Sequence, residues 1–273
     1  MSENQQEKAR RLRALHAAPG IFVIPNAWDG GSAGILAGLG FKALATSSGA
    51  CAATLGRVDG KVTRDEALAH ARTIVAATDC PVAADLEKGF GDSPEVVAQT
   101  IRLAAGAGLV GGSIEDARGE GNALYDIGHA TERVAAAAEA ARALPFPFTL
   151  TARAENFIRG NPDLDDTIRR LQAFEGAGAD VLFAPGLPDL GAVRAVCAAV
   201  SKPVNFMVGI RGKSFTIADL AAAGVKRISL ATSLYRAAMS GLLEAAREVR
   251  DEGTFEYVEG AMTTAELNRF LQT

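Results

Sequence analysis

The sequence predicts an α/β protein, a single (β/α)8 TIM barrel, on three observations. Eight short β-branched apolar runs recur along the chain, segments of helix-forming composition lie between them, and a glycine motif recurs ahead of alternate runs. The runs span 21–27, 43–48, 82–87, 111–116, 148–155, 180–185, 203–208 and 227–232. Helices are expected at 64–77, 93–105, 130–143, 165–175, 190–200 and 217–223, where Ala, Leu, Arg and Glu dominate. Strictly alternating strand and helix requires a parallel sheet, because each connection must cross back to the starting edge. Ala-Gly-x-Gly or a close variant ends at Gly40, Gly108, Gly178 and Gly224, just before the second, fourth, sixth and eighth runs. There it reads as a left-handed helix C-cap. No linker or shift in composition divides the 273 residues, so residues 1–273 are expected to form one closed barrel domain rather than an open doubly wound sheet. Residues 234–273 are predominantly helical in composition and longer than one closing helix needs. The end of this C-terminal extension is expected to pack on another subunit.

Composition narrows the function. Lys and Arg number 28 against 32 Asp and Glu, a net charge of −4, which offers neither nucleic acid nor anionic lipid a basic surface. No window approaches the roughly 18 apolar residues of a membrane span, and the first 13 residues are too polar for a secretory signal. Cys51, Cys80 and Cys197 are odd in number and lack a Cys-x-x-Cys pair, so they read as reduced, structural residues. The expectation is a cytoplasmic protein acting on a small molecule.

The active site of such a barrel lies at the C-terminal ends of its strands, and here those ends are acidic. The third run finishes Asp85-Leu86-Glu87, whose period of two sets both acids on one face, the fourth finishes Glu115-Asp116, and the loop after the second carries Asp59. Carboxylates crowded in a partly dry mouth take up protons unless a cation sits among them. All-oxygen donors and only three histidines point to Mg²⁺ or Mn²⁺ rather than zinc, held by few direct carboxylates plus water. Arg153, sharing a face with Glu155 at the end of the fifth run, is suited to clamp a substrate carboxylate or, alternatively, to form a structural salt bridge to Glu155 or Glu115. Ser47, Ser48 and Gly49 offer hydroxyls and backbone donors to an anion, and Asn205 an amide to the same carboxylate. A rival phosphate-binding reading rests on 209–214 and Thr232-Ser233, after runs seven and eight. No nucleotide-loop pattern accompanies them. His129 and Cys51 read as structural.

The ordered strings Leu55-Gly56-Arg57-Val58-Asp59, Asp85-Leu86-Glu87-Lys88-Gly89-Phe90-Gly91-Asp92, Ser113-Ile114-Glu115-Asp116 and Ala152-Arg153 resemble the isocitrate lyase and phosphoenolpyruvate mutase superfamily over nearly the full chain. The resemblance implies a Mg²⁺ site at Asp85, joined directly or through water by Asp59, Glu87 and Glu115. It also implies Arg153 beside the substrate, an anion pocket at Ser47, Ser48 and Gly49, and a homotetramer of helix-swapped dimers. Two departures stand out. The third-strand motif usually reads Asp-x-Asp but here ends in Glu87, and the loop at 117–126 lacks the Lys-Lys/Arg-Cys-Gly-His of the isocitrate and methylisocitrate lyases. Those lyases also carry a Glu after the sixth strand, where this chain has Ala184-Pro185-Gly186, and the mutases' Lys and Asn-Ser find only a loose match in Arg118 and Asn122.

The function expected is a Mg²⁺-dependent lyase or decarboxylase cleaving a carbon–carbon bond of a small 2-oxo or 2-hydroxy acid through a metal-stabilised enolate. Asp59, Glu115 and Arg153 are its catalytic candidates. Tyr125 or a loop water is the candidate proton donor. The alternatives are phosphonopyruvate-type carbon–phosphorus chemistry and a catalytically silent 2-oxo-acid-binding barrel.

Overall fold

Each apolar run contains a strand, trimmed to the residues that pair with a neighbour. A computed structural model, describing residues 3–119 and 121–271, contains β1 (Phe22–Ile24), β2 (Leu44–Ala45), β3 (Val82–Asp85), β4 (Gly111–Glu115), β5 (Thr149–Arg153), β6 (Val181–Phe183), β7 (Val204–Met207) and β8 (Arg227–Ser229). All pairings are parallel, in the order β1-β8-β7-β6-β5-β4-β3-β2. The seam between β1 and β2 is closed by a single bridge, Asn26 to Ala45. Asn26 stitches that seam with its side chain, donating to Thr46 O at 2.6 Å and accepting from Leu230 N at 2.9 Å. The result is a nearly closed TIM barrel.

Helices fill the connections. They are α1 (Glu3–Ala17), α2 (Gly30–Gly38), α3 (Ser48–Thr54), α4 (Arg64–Ala76), α5 (Pro94–Gly106), α6 (Ile127–Arg142), α7 (Leu164–Gly176), α8 (Leu190–Ala199), α9 (Ile217–Ala222), α10 (Ser233–Arg247) and α11 (Thr264–Leu271). Those from α2 to α9 each begin on an Asp, Ser or Thr whose side chain accepts a backbone N–H of the first turn, satisfying a donor the helix cannot. The repeated glycines adopt the expected left-handed geometry, with φ of 89°, 90°, 104° and 95° at Gly40, Gly108, Gly178 and Gly224. Three helices, α1 to α3, have no counterpart in the sequence-based expectation. The first is too polar to show an apolar stripe, and the other two are short and rich in Gly and Ala.

The polar helix α1 covers one end of the barrel. Leu12 and Ala9 are fully buried beneath it, Gln5 donates to Ala105 O and Leu109 O at 2.8 and 3.1 Å, and Lys8 donates to Thr78 O at 2.7 Å. Those carbonyls lie ahead of β3 and β4, so the N-terminal end is plugged and the C-terminal end stays open. The tail is helical, as expected. Its last helix, α11, lies against α2 of the same chain, while α10 buries none of its residues. Among the described residues, no helix is long and apolar enough to cross a membrane.

Candidate active site

The open end of the barrel leads into a cavity of about 280 Å³, sized for a small organic acid. Asp85, the last residue of β3, faces it. One carboxylate oxygen accepts from an Arg153 terminal nitrogen at 2.9 Å and from Glu87 N at 3.2 Å, and the other accepts from Ser48 N at 3.2 Å. The strand ends are tied in sequence, Glu115 N to Glu87 O at 3.0 Å and Asp116 N to Arg153 O at 3.2 Å, which brings acids from neighbouring turns together.

Arg153 is the hub of these acids. Its guanidinium pairs with Asp85 at 2.9 Å, Glu115 at 3.3 Å and Glu155 at 2.9 Å, and it is almost wholly buried. The salt-bridge reading of this residue is met, with Glu155 and Glu115 as its partners, and the same side chain lines the cavity. Burial pushes the Glu115 carboxyl upward, opposed by Arg153 and by Arg159, which stands 3.2 Å away. Beneath this layer Arg170 pairs with Asp116 at 3.0 Å, and burial raises Asp116 to about 6.

Glu87 departs from the expected alternation. The strand ends at Asp85, and Glu87 takes a left-handed φ of 49°, so it does not share Asp85's face. It lines a separate hollow with Cys51 and His70, adjoining the cavity through Asp85. Burial, with repulsion from Asp85 and Asp59, lifts its carboxyl to about 7. Backbone strain of this kind concentrates at functional sites. A second strained residue, Ala231 with φ of 47°, lines the cavity itself.

Ser47, Ser48 and Gly49 form the first turn of α3, a helix where a turn was expected. Ser47 caps that helix, and both serines line the cavity. Gly49 is needed for space, since a Cβ there would lie 3.0 Å from Thr232 Cγ2 and 3.3 Å from Asp59 Oδ2. Asp59 thereby closes over the same mouth and lines the cavity.

Asn205 lines the cavity but its amide is already engaged. Nδ2 donates to Ser229 Oγ at 3.0 Å and Oδ1 accepts from Arg227 Nε at 2.7 Å, so the amide braces β7 to β8 and keeps its second N–H. Tyr125 is displaced from its expected role. It donates to Asp92 and lies under the Arg133 guanidinium, 4.2 Å from the ring centroid, away from the cavity. The 117–126 loop folds as a small hairpin through the Ala117–Leu124 bridge, and Arg159 joins it to Glu115 by donating to Gly121 O at 2.9 Å.

Sequence reasoning missed Arg159, Thr151 and Arg227. The only signal for Arg227 was a charged residue opening an apolar run, with period two setting it on the same face as Ser229.

A metal fits this donor set by its chemistry. Asp59 and Asp85 line the cavity, Glu87, Glu115 and Glu155 crowd its edge, and the neighbouring Arg153 and Arg159 provide fewer positive charges than these acids carry. Burial is the main cause of the upward displacement of Glu87, and repulsion from Asp85 and Asp59 adds to it. Among the described residues no three His, Cys, Asp or Glu side chains are gathered as a ready ligand cage.

A nearly closed barrel with acidic strand ends gathered around an arginine hub defines the candidate site. Comparisons with known proteins supply its class. The family model described as phosphoenolpyruvate phosphomutase matches residues 12–250, and the chain belongs to this family, within the isocitrate lyase/phosphoenolpyruvate mutase superfamily. A 2-methylisocitrate lyase of Halalkalibacterium halodurans is 30% identical over 276 residues, covering 97% of this chain and 90% of the relative. A crystal structure from Burkholderia cenocepacia J2315, described as that of a candidate lyase/mutase, is 51% identical with a TM-score of 0.97, covering 100% of this chain and 98% of that one. The structure of a 2,3-dimethylmalate lyase is 26% identical with a TM-score of 0.87, covering 97% of this chain and 94% of the other.

Proposed function

We propose that this protein is a Mg²⁺-dependent lyase or decarboxylase that cleaves a carbon–carbon bond of a small 2-oxo or 2-hydroxy acid to leave an enolate. The observation that carries the reading is the joining of Asp85, Glu115 and Glu155 around Arg153 at the mouth of a cavity sized for such an acid. Asp85 would hold the ion directly, with Glu87, Glu115 and Asp59 joining through water. A bound divalent ion supplies positive charge beside the substrate carboxylate and its neighbouring oxygen, where negative charge develops.

The chain's own groups do the rest. With Asp85 committed to an ion, the terminal nitrogen of Arg153 that now meets it would be available to the substrate carboxylate. Ser48 and Gly49 line or border the same mouth and offer hydroxyl and backbone donors. Asp59 and Glu115 would orient a water or move a proton. The test is a panel of 2-oxo, 2-hydroxy and phosphono acids assayed with and without Mg²⁺. Turnover of a carbon acid that vanishes on chelation supports the reading, and no Mg²⁺-dependent turnover on any acid defeats it.

One finding favours a second reading. The match to the phosphoenolpyruvate phosphomutase model supports carbon–phosphorus chemistry, and phosphonopyruvate assayed beside oxaloacetate separates the two. For the assembly, the exposed side chains Leu242 and Leu243 of α10, with Phe255 and Val258 beyond it, support a homotetramer built of helix-swapped dimers. A cytoplasmic location accords with this small-acid chemistry.

A further inference from the structure

The cavity is lined by Asp59 and Asp85 together with Arg153 and Arg236, and it also reaches Arg227, the first residue of β8, whose guanidinium lies 3.4 Å from His16 of α1 at the plugged end. Small side chains on its wall, Ala45, Ala83 and Ser113, leave the space open.

Arg227 is only 6% exposed, yet among the described residues no acidic side chain pairs with it. Arg153, Arg159 and Arg170 in the same barrel each have carboxylate partners. The partners of Arg227 are all neutral: Asn205 Oδ1 at 2.7 Å, Thr151 Oγ1 at 3.0 Å and His16 Nε2 at 3.4 Å. His16 Nδ1 lies 2.9 Å from Leu12 O, which can only accept, so the proton sits on Nδ1 and Nε2 accepts from the arginine. Burial, with Arg227 beside it, holds His16 at about 3, so this ring brings no second positive charge at neutral pH. Burial lowers Arg227 to about 10, and it remains a cation.

A guanidinium has five N–H donors. Each nitrogen makes one of the three bonds above, which leaves one donor on each terminal nitrogen without a partner among the described residues. A buried charge lacking a counter-ion is costly unless something supplies one. Two free donors on the two terminal nitrogens of a planar fork match the two oxygens of a carboxylate.

We propose that Arg227 receives the distal carboxylate of a dicarboxylate whose other acid end sits at the rim. This rests on the reading of the rim given under Proposed function and adds the residue that would select for a second carboxylate. Arg227 is thus a specificity-determining residue, and Asn205 and Thr151 are positioning residues that hold its fork in place.

The test compares inert pairs of equal chain length by calorimetry: succinate against butyrate, and glutarate against pentanoate, each with and without Mg²⁺. The native protein is expected to bind at least one diacid more than about tenfold tighter than its matched monoacid, the usual scale of a buried charge-assisted pair. Arg227→Met is expected to bring that ratio close to one. Asn205→Asp, nearly isosteric, places an anion against Arg227 and is expected to do the same without removing the cation, so a misfolded Arg227→Met leaves a second measurement. A native ratio near one, or a preference that survives in a folded Arg227→Met or in Asn205→Asp, overturns the proposal. Failure of Mg²⁺-dependent turnover is a separate result: it removes the lyase reading while the diacid ratio without Mg²⁺ still judges Arg227.

Discussion

Asp85 touches the cavity, the Arg153 hub and the α3 backbone together. Its replacement by Ala is expected to weaken Mg²⁺ binding by more than about tenfold, read by calorimetry on the folded variant, since even supporting residues around a metal are worth that much. Glu87 makes a pH prediction. Its carboxyl stands at about 7 in the folded chain against an ordinary value of 4.5, so the folded state holds its proton longer than the unfolded state does. The more protonated state gains as pH falls, so this group's contribution to stability is present at low pH and is lost as pH rises through 7. Glu115, also raised, acts in the same direction. His16 acts in the opposite direction, but only between about 3 and its ordinary 6.5. Without metal, the melting temperature is therefore expected to fall from pH 6.5 to 8. Mg²⁺, which binds the ionised acids, is expected to recover more of it at pH 8 than at pH 6.5. A flat profile without metal would count against an uncompensated acidic mouth.

Among the elements, α4 shows how a helix start supports the mouth. Thr63 caps α4 and exchanges bonds with Glu66 in a capping box, and Glu66 also pairs with Arg57 at 2.7 Å, beside the loop that carries Asp59. Hydrogen bonds from Arg57 and Thr63 hold the Glu66 carboxyl down at about 2, so the arrangement persists across the pH range of the assays. Thr63→Ala is expected to cost about 1 kcal/mol, the usual loss of an N-cap, measured as a lower urea midpoint with an unchanged slope. The α2–α11 contact is tight in another way: a Cβ at Gly38 would fall 2.6 Å from Phe270 Cδ1. That glycine lets the final helix lie close on its own barrel, a contact no periodicity of α2 announced.

For the whole molecule, α10 is the element that a lone barrel leaves unfinished. It occupies the place in the chain where the eighth outer helix belongs, yet none of its residues is buried, and Leu242 and Leu243 are 62% and 49% exposed. An apolar helical face of this kind in water calls for a partner. Leu242→Glu combined with Leu243→Glu is expected to reduce the proposed tetramer to smaller species in sedimentation velocity while leaving the barrel folded. An unchanged mass would remove the helix-swap proposal.

Much of this was legible in residues alone. The eight runs and capping glycines depend on backbone preferences that act within a few positions, so the barrel could be read from spacing, as could the acids at its strand ends. The short range of that signal also explains its limits. It overextended β3 to Glu87, because alternation carries no notice of the left-handed turn that ends the strand. It left Asn205 and Tyr125 free, because their partners Arg227 and Asp92 lie 22 and 33 residues away. What the sequence by itself determined was the architecture, the family resemblance and the acidic side of the mouth. Only the tertiary structure decided which charges meet: Arg153 is enclosed by three carboxylates from three strand ends, while Arg227 is buried among neutral acceptors. The physical reason is that charge compensation depends on distances across the closed barrel, which the order of residues along one strand does not specify.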